Sequence, residues 1–231
     1  LHSTVGQYKA DVVAARCRRT GVPLTVADFH ALRPVSHSLD GQVFDWPGLP
    51  GLRLPLLARH QLYNAAVTLT IIETLRRRGW HIPDDAIRAG LAAVEWPGRF
   101  QVVRRAPIVV LDGGHNPQCM EALTQNVADY LSGHPLTVLT GVLGDKDYAH
   151  MYGQLATQAA RFVTVTPHSP RALPAADLSM ILSTLGRPVT TCDTIAHGVD
   201  TALSLTQPDG AVLCCGSLYL LGDVLDELDR R

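Results

Sequence analysis

The sequence predicts an α/β fold built on a mostly parallel sheet with one antiparallel edge pair, preceded by the tail of a second domain. Three observations carry this prediction. From Arg99 onward, short apolar runs alternate with helix-patterned stretches, the signature of strands joined by crossover helices. The first two of those runs, FQVVRR and PIVVLD, lie too close together for a crossover and are expected to pair antiparallel. Before them, Trp96-Pro97-Gly98 interrupts the chain and separates this alternation from a segment of different character.

Taken in order, ADVVAARCRRTG reads as a short amphipathic helix ending at Gly21, and VPLTVADF reads as a strand. From Leu39 to Pro55, Gly and Pro punctuate alternating apolar residues, so short strands and turns are expected. HQLYNAAVTLTIIETLRRRG is a helix whose apolar face is Leu62, Ala66, Leu69, Ile72 and Leu75. Its arginines suit the carboxyl end and Gly79 stops it. IPDDAIRAGLAAVEW begins a second helix with Pro83 and two aspartates in its first turn, and Ile87, Leu91 and Val94 as its stripe. After the break come strands FQVVRR, PIVVLD, LTVLTG, RFVTVT, RPVTTC and AVLCCG. Helices are expected at about 117–132, 148–160, 174–185, 195–206 and 218–228.

Composition narrows the function. With 46% apolar and 18% charged residues in 231, the chain can bury a sizeable core. A net charge of -1 gives no bulk attraction to nucleic acid or an anionic membrane, so neither is expected as a partner. The arginine clusters at 16–19 and 76–78 read as solvated helix ends. The cysteines, five in number and without a CxxC pair, suit a reducing compartment and a cytoplasmic location. Cys214-Cys215 reads as two residues of a buried strand, with a strained bond between neighbours as the other reading. The ten histidines show no HExxH spacing, so no metal site is assigned. No apolar stretch is long enough to span a bilayer and no signal peptide opens the chain. Leu1 in place of an initiator methionine fits a fragment of a longer chain.

Open α/β sheets bind ligands beyond the carboxyl ends of their strands, which selects the loops DGGHNP, GVLGDKDY and CGSLYLLG. Asp112 can accept hydrogen bonds from paired hydroxyls such as those of a ribose, and Gly113 and Gly114 permit close backbone approach. A structural turn is the other reading for Asp112 and His115. Asn116-Pro117 reads as a helix start. Arg99, after a Pro-Gly turn, can grip phosphate oxygens, although taken alone an arginine here reads more readily as a surface residue. Lys146, between Asp145 and Asp147, can steady a carboxylate or a transferring phosphoryl group, or can belong to a solvated turn. Ser217 stands near a helix amino end, where it either caps the helix or helps receive an anion. There is no GxxxxGK[ST] and no GxGxxG, so a triphosphate cradle is absent from these residues.

HQLYN, WPGRF, DGGHNP, GVLGDKDY and GSLYLLG, in this order, resemble the folylpolyglutamate synthase and dihydrofolate synthase family of the Mur ligase superfamily. The match runs closely from Ala58 to the end, and loosely over 10–57, where TGVPLTVADF resembles the tail of the family's central domain. It implies that residues 1–95 are the carboxyl-terminal part of a central ATP-binding domain. Residues 96–231 would be the Mur ligase-type C-terminal α/β domain, with its Rossmann-like sheet.

The implied activity is an ATP-dependent ligase. It phosphorylates a folate or dihydropteroate carboxylate, then lets the amine of L-glutamate displace the phosphate. By the same resemblance Asn64 meets the adenine, Arg99 the phosphates and Asp112 the ribose, while His115 lies near the reacting end. Lys146 joins His115 as a catalytic candidate, and Asp145 and Ser217 face the incoming glutamate. ATP and Mg2+ are the implied cofactors, small molecules the implied partners, and a monomer the expected state. The sequence departs from the family pattern at Gly114, where alanine is commoner. It also lacks the phosphate loop, the magnesium ligands and the modified lysine, which belong to the family's amino-terminal half. The expectation is therefore a carboxyl-terminal half that folds but does not catalyse alone. A cell-wall Mur-type amino-acid ligase and a non-catalytic binding module are the competing readings.

Overall fold

The computed structural model describes residues 4–144 and 147–230. Two sheets organise them. Strands β1 (Arg33–Ser38), β2 (Gly41–Trp46) and β3 (Leu49–Leu54) form a three-stranded antiparallel meander. Burial alternates along β2, with Gln42, Phe44 and Trp46 inward, because successive side chains of a strand point to opposite faces. Helices α2 (Arg59–Arg77) and α3 (Asp84–Ala92) cover that face through Leu62, Ala66, Leu69, Ile87 and Leu91. Trp46 donates its indole N–H to Glu73 of α2 at 2.6 Å. Gly79, at φ 92°, closes α2 where a side chain would be strained.

The second sheet has six strands: β4 (Gln101–Arg105), β5 (Ile108–Leu111), β6 (Leu136–Thr140), β7 (Ala159–Thr164), β8 (Val189–Thr191) and β9 (Ala211–Cys215). Their spatial order is β4-β5-β9-β6-β7-β8. Only the β4–β5 pair is antiparallel; the other neighbours run parallel. Strands β5, β6 and β9 are buried throughout, as expected of parallel strands covered on both faces.

Helices α4 (Pro117–Tyr130), α5 (Tyr148–Gly153), α6 (Leu155–Gln158) and α7 (Ala175–Ser183) pack on one face, and α8 (Ile195–Ser204) and α9 (Leu218–Asp229) on the other. The split follows from handedness. The chain steps outward from β5 through β8, then returns to insert β9 in the middle, and right-handed crossovers put the returning helix on the opposite side. Cys214 and Cys215 belong to different faces and both are free thiols, as are Cys17, Cys119 and Cys192.

Three local expectations are corrected. The segment VPLTVADF is not a strand: residues 22–28 pair with nothing in either sheet, and a 3₁₀ turn follows at Phe29–Ala31, capped by Asp28. β-propensity needs a ladder partner, and β1 pairs only with β2. Helix α1 (Thr4–Thr20) forms, but none of its described side chains is buried and Val12 and Val13 face solvent. The single helix expected at 148–160 is two short ones, interrupted at Gly153-Gln154, and β7 takes over from Ala159. Among the described residues no helix is long and apolar enough to cross a membrane.

Among the described residues two non-glycine residues hold positive φ: Ala58 at 79° and Phe100 at 48°. Such backbone costs about 1–3 kcal/mol and persists only where its surroundings fix it. Ala58, fully buried at the amino end of α2, is held by its N–H donating to the Tyr130 hydroxyl at 3.3 Å and by its carbonyl accepting from Gln42 at 3.1 Å. Replacing Ala58 with Gly is expected to stabilise the fold by about 1 kcal/mol, read as a rise of about 2–4 °C in a thermal melt. An unchanged or lower melting temperature would show that this backbone is unstrained.

Candidate functional site

The carboxyl ends of β5, β9 and β6 converge where the strand order reverses, the position at which open α/β sheets bind ligands. Their loops are locked by backbone contacts that leave no room for side chains. Gly113 donates to Gly98 O at 2.8 Å and Gly216 donates to Gly114 O at 3.0 Å. A Cβ on Gly113 would stand 2.3 Å from Leu218, and one on Gly216, whose φ is 106°, would meet Thr140, Gly141 and Tyr152 within 2.9 Å. Thr140 hydrogen-bonds the Tyr152 hydroxyl at 2.5 Å and donates to Cys215 O at 3.0 Å.

Asp112 is the centre of the first loop. Its Oδ2 accepts the N–H of Phe100 at 3.0 Å and its Oδ1 accepts that of Gly114 at 2.8 Å, while only 8% of the residue is exposed. Burial raises its pKa; the two N–H groups and the charges of Arg99 and His115 oppose that rise. A Cβ on Gly114 would lie 3.0 Å from Asp112 Oδ1, so alanine at this position needs the carboxylate to yield slightly. Oδ2 thus ties the turn at 96–100 to the strand end, Oδ1 braces the loop that follows it, and each oxygen keeps a further lone pair.

That tie anchors the backbone next to Arg99. The residue is half-buried, with its guanidinium carbon 5.7 Å from the Trp96 ring centre, a cation–π arrangement. Its charge reaches His60 in the first turn of α2. There, burial of part of the ring and the Arg99 charge lower the imidazole pKa, although the outer side of His60 stays in solvent. Asn64, one turn further along α2, is exposed, and its side-chain amide donates to Gln61 at 2.9 Å. Arg99, Asp112 and the start of α2 therefore belong to one neighbourhood assembled from both sheet units.

His115 points its Nδ1 at Gly113 O, 2.8 Å away, which stiffens the loop. Asn116 caps α4 by accepting from the Cys119 N–H at 2.9 Å, with Pro117 at the first helical position. Ser217 is 2% exposed and its hydroxyl accepts from the Tyr219 N–H at 3.2 Å, so its visible role is to cap α9. Asp145 and Lys146 lie outside the described residues. Among the described residues no group of three or more His, Cys, Asp or Glu could hold a metal ion, and no step is assigned to one within this chain. Sequence reasoning gave no role to His60 or Tyr130. The first was visible inside HQLYN; nothing in the sequence marked the second.

Residues 98–218 match the model of the Mur ligase, glutamate ligase domain family. The chain belongs to this family. Within it, the chain is 32% identical over 227 residues to the folylpolyglutamate synthase of Lacticaseibacillus casei, covering 95% of this chain and 51% of that protein. A Mycobacterium tuberculosis folylpolyglutamate synthase complexed with ADP superposes with a TM-score of 0.79 at 28% identity, over 96% of this chain and 52% of that one. The bifunctional folylpolyglutamate synthase/dihydrofolate synthase of Yersinia pestis, complexed with AMPPNP and Mn ion, gives 0.74 at 25% identity, over 94% and 50%. The chain thus spans about half the length of these three proteins, and the two solved structures hold ADP and AMPPNP respectively.

Two outcomes are expected from this geometry. Asp112→Ala leaves the buried N–H groups of Phe100 and Gly114 without acceptors, at a cost of roughly 1–3 kcal/mol each, measurable by denaturant unfolding. A loss below half a kilocalorie would mean that the turn has other anchors. In an NMR titration His60 should lose its proton below the ordinary histidine value of 6.5, and Arg99→Ala should move that midpoint upward.

Proposed function

We propose that this chain is the carboxyl-terminal half of an ATP-dependent ligase that adds L-glutamate to the carboxylate of a folate or dihydropteroate. In that reaction the carboxylate oxygen attacks the γ-phosphorus and ADP leaves. The glutamate amine then attacks the acyl carbon and phosphate leaves. The observation that carries the reading is the placement of Arg99: a half-buried cation, next to the amide anchored by Asp112, whose charge is felt at His60 in the first turn of the helix that bears Asn64.

On this reading residues 1–95 complete an ATP-binding domain whose phosphate loop and metal ligands lie outside this chain, and residues 96–231 form the closing domain. Asn64 meets the adenine and Arg99 the phosphates. Asp112 meets the ribose through the lone pairs left after its two backbone bonds. His115, held by Gly113 O, lies towards the reacting end with Lys146. Asp145 and Ser217 border the glutamate, Ser217 by shaping the loop that it caps. A nucleotide gripped from both sides favours closure and keeps water from the acyl phosphate. The expected setting is a cytoplasmic monomer acting on small molecules, with Mg2+ accompanying ATP.

Arg99→Ala in the intact ligase is expected to weaken ATP use by about 10–150-fold, the equivalent of one charge-assisted phosphate contact of about 1.5–3 kcal/mol, with the fold unchanged. Coupled measurement of ADP release and glutamate incorporation, with dihydropteroate and tetrahydrofolate as separate acceptors, tests both the reaction and the substrate. Wild-type kinetics in the variant would reduce Arg99 to a surface residue. Substantial turnover by the 231-residue chain alone would overturn its assignment as an inactive half.

A further inference from the structure

Tyr130, the last residue of α4, lies where the two sheet units meet. Its hydroxyl accepts the N–H of Ala58 at 3.3 Å, one residue before α2 begins. Its ring stands 5.6 Å from that of Phe100, immediately after Arg99, and 5.1 Å from His37 of β1, edge-on. Ala58 and Phe100 are the two non-glycine residues with positive φ among those described. One side chain therefore touches both strained positions. Each adjoins a segment of the candidate site: Ala58 leads into the helix carrying His60 and Asn64, and Phe100 follows Arg99.

Two such residues meeting on one tyrosine is what a set joint requires. Strained backbone persists where its surroundings over-determine it, and here the surroundings converge on a single ring. The core of the larger unit reaches the same point, since Leu57 and Phe100 are part of it and Leu39 and Tyr130 pack against it. The Arg105–Asp40 ion pair at 2.5 Å also joins the units, but both partners are largely exposed, so it adds little to their alignment.

We infer that Tyr130 is a positioning residue that holds the first turn of α2 in line with Arg99, so that the two sides of the nucleotide site are aligned before ligand arrives. The inference rests on reading that cleft as a nucleotide site. Pre-alignment of this kind contributes to affinity by lowering the ordering cost of binding.

The test is Tyr130→Phe in the 231-residue chain, which keeps the ring packing and removes only the hydroxyl. Two readouts are taken: the NMR titration of His60, and ADP affinity by calorimetry. With the hydroxyl gone, the amide of Ala58 loses its acceptor and the first turn of α2 relaxes away from Arg99. The His60 midpoint should then rise toward 6.5 and ADP should bind about threefold to tenfold more weakly, together with the drop in melting temperature that a buried amide without an acceptor brings. A hydroxyl with a merely structural role would lower the melting temperature and leave the His60 midpoint where it was. That result, or an unchanged midpoint with unchanged ADP affinity, overturns the inference. If the wild-type chain binds no ADP while the variant's His60 midpoint moves, the positioning stands and the nucleotide reading of the cleft falls.

Discussion

The buried carboxylate of Asp112 is the interaction on which the rest of this region depends. It accepts one N–H from the loop that follows its own strand and one from Phe100, across the turn at 96–100. Without the second bond, a buried N–H at a positive-φ residue would have no partner, and the turn would be left to the bonds that Gly98 makes with Gly113 and Gln101. The bond fixes the main chain from which the Arg99 side chain departs, because Arg99 is the residue just before the anchored amide. The guanidinium itself lies over the Trp96 ring.

Sheet topology explains why these parts meet. Inserting β9 between β5 and β6 brings three glycine-bearing loops to one edge, and their backbones touch each other directly. Gly113 against Leu218 and Gly216 against Thr140 and Tyr152 are packing requirements of that convergence. The mouth of the site is shaped mainly by main chain, with few side chains left to define it. Residues such as His115 and Ser217 act there through bonds to backbone atoms.

Much of this was legible in the sequence because it is local. The alternation from Arg99 onward gave the strands and helices, and the short gap between FQVVRR and PIVVLD gave the antiparallel pair. The Asn116-Pro117 helix start is a signal carried by two adjacent residues, and it holds in the structure. What could not be read was non-local. VPLTVADF has strand propensity, but a strand exists only with a neighbour, and no pattern within eight residues announces one. The strand order, with the last strand in the middle, leaves no mark on periodicity. Tyr130 ends an ordinary amphipathic helix, and its importance comes from Ala58, which is 72 residues away in the chain. The dual bonding of Asp112 was hidden for the same reason: its partner at Phe100 is fixed by the turn, not by spacing.

The distribution of sulfur has a practical side. Cys192, Cys214 and Cys215 are buried, out of reach of a reagent in solution, and burial also pushes the Cys214 thiol up to about 12. Cys17 and Cys119 are half-exposed. Cys119 sits in the first turn of α4, with its amide bonded to the cap that closes the loop of Asp112 and His115. A maleimide fluorophore would therefore attach, in the unaltered chain, within a few residues of the mouth of the site, with Cys17 on α1 as the other point of attachment. Replacing Cys17 alone would leave a single dye reporting on that loop, with the buried sulfurs of the sheet untouched.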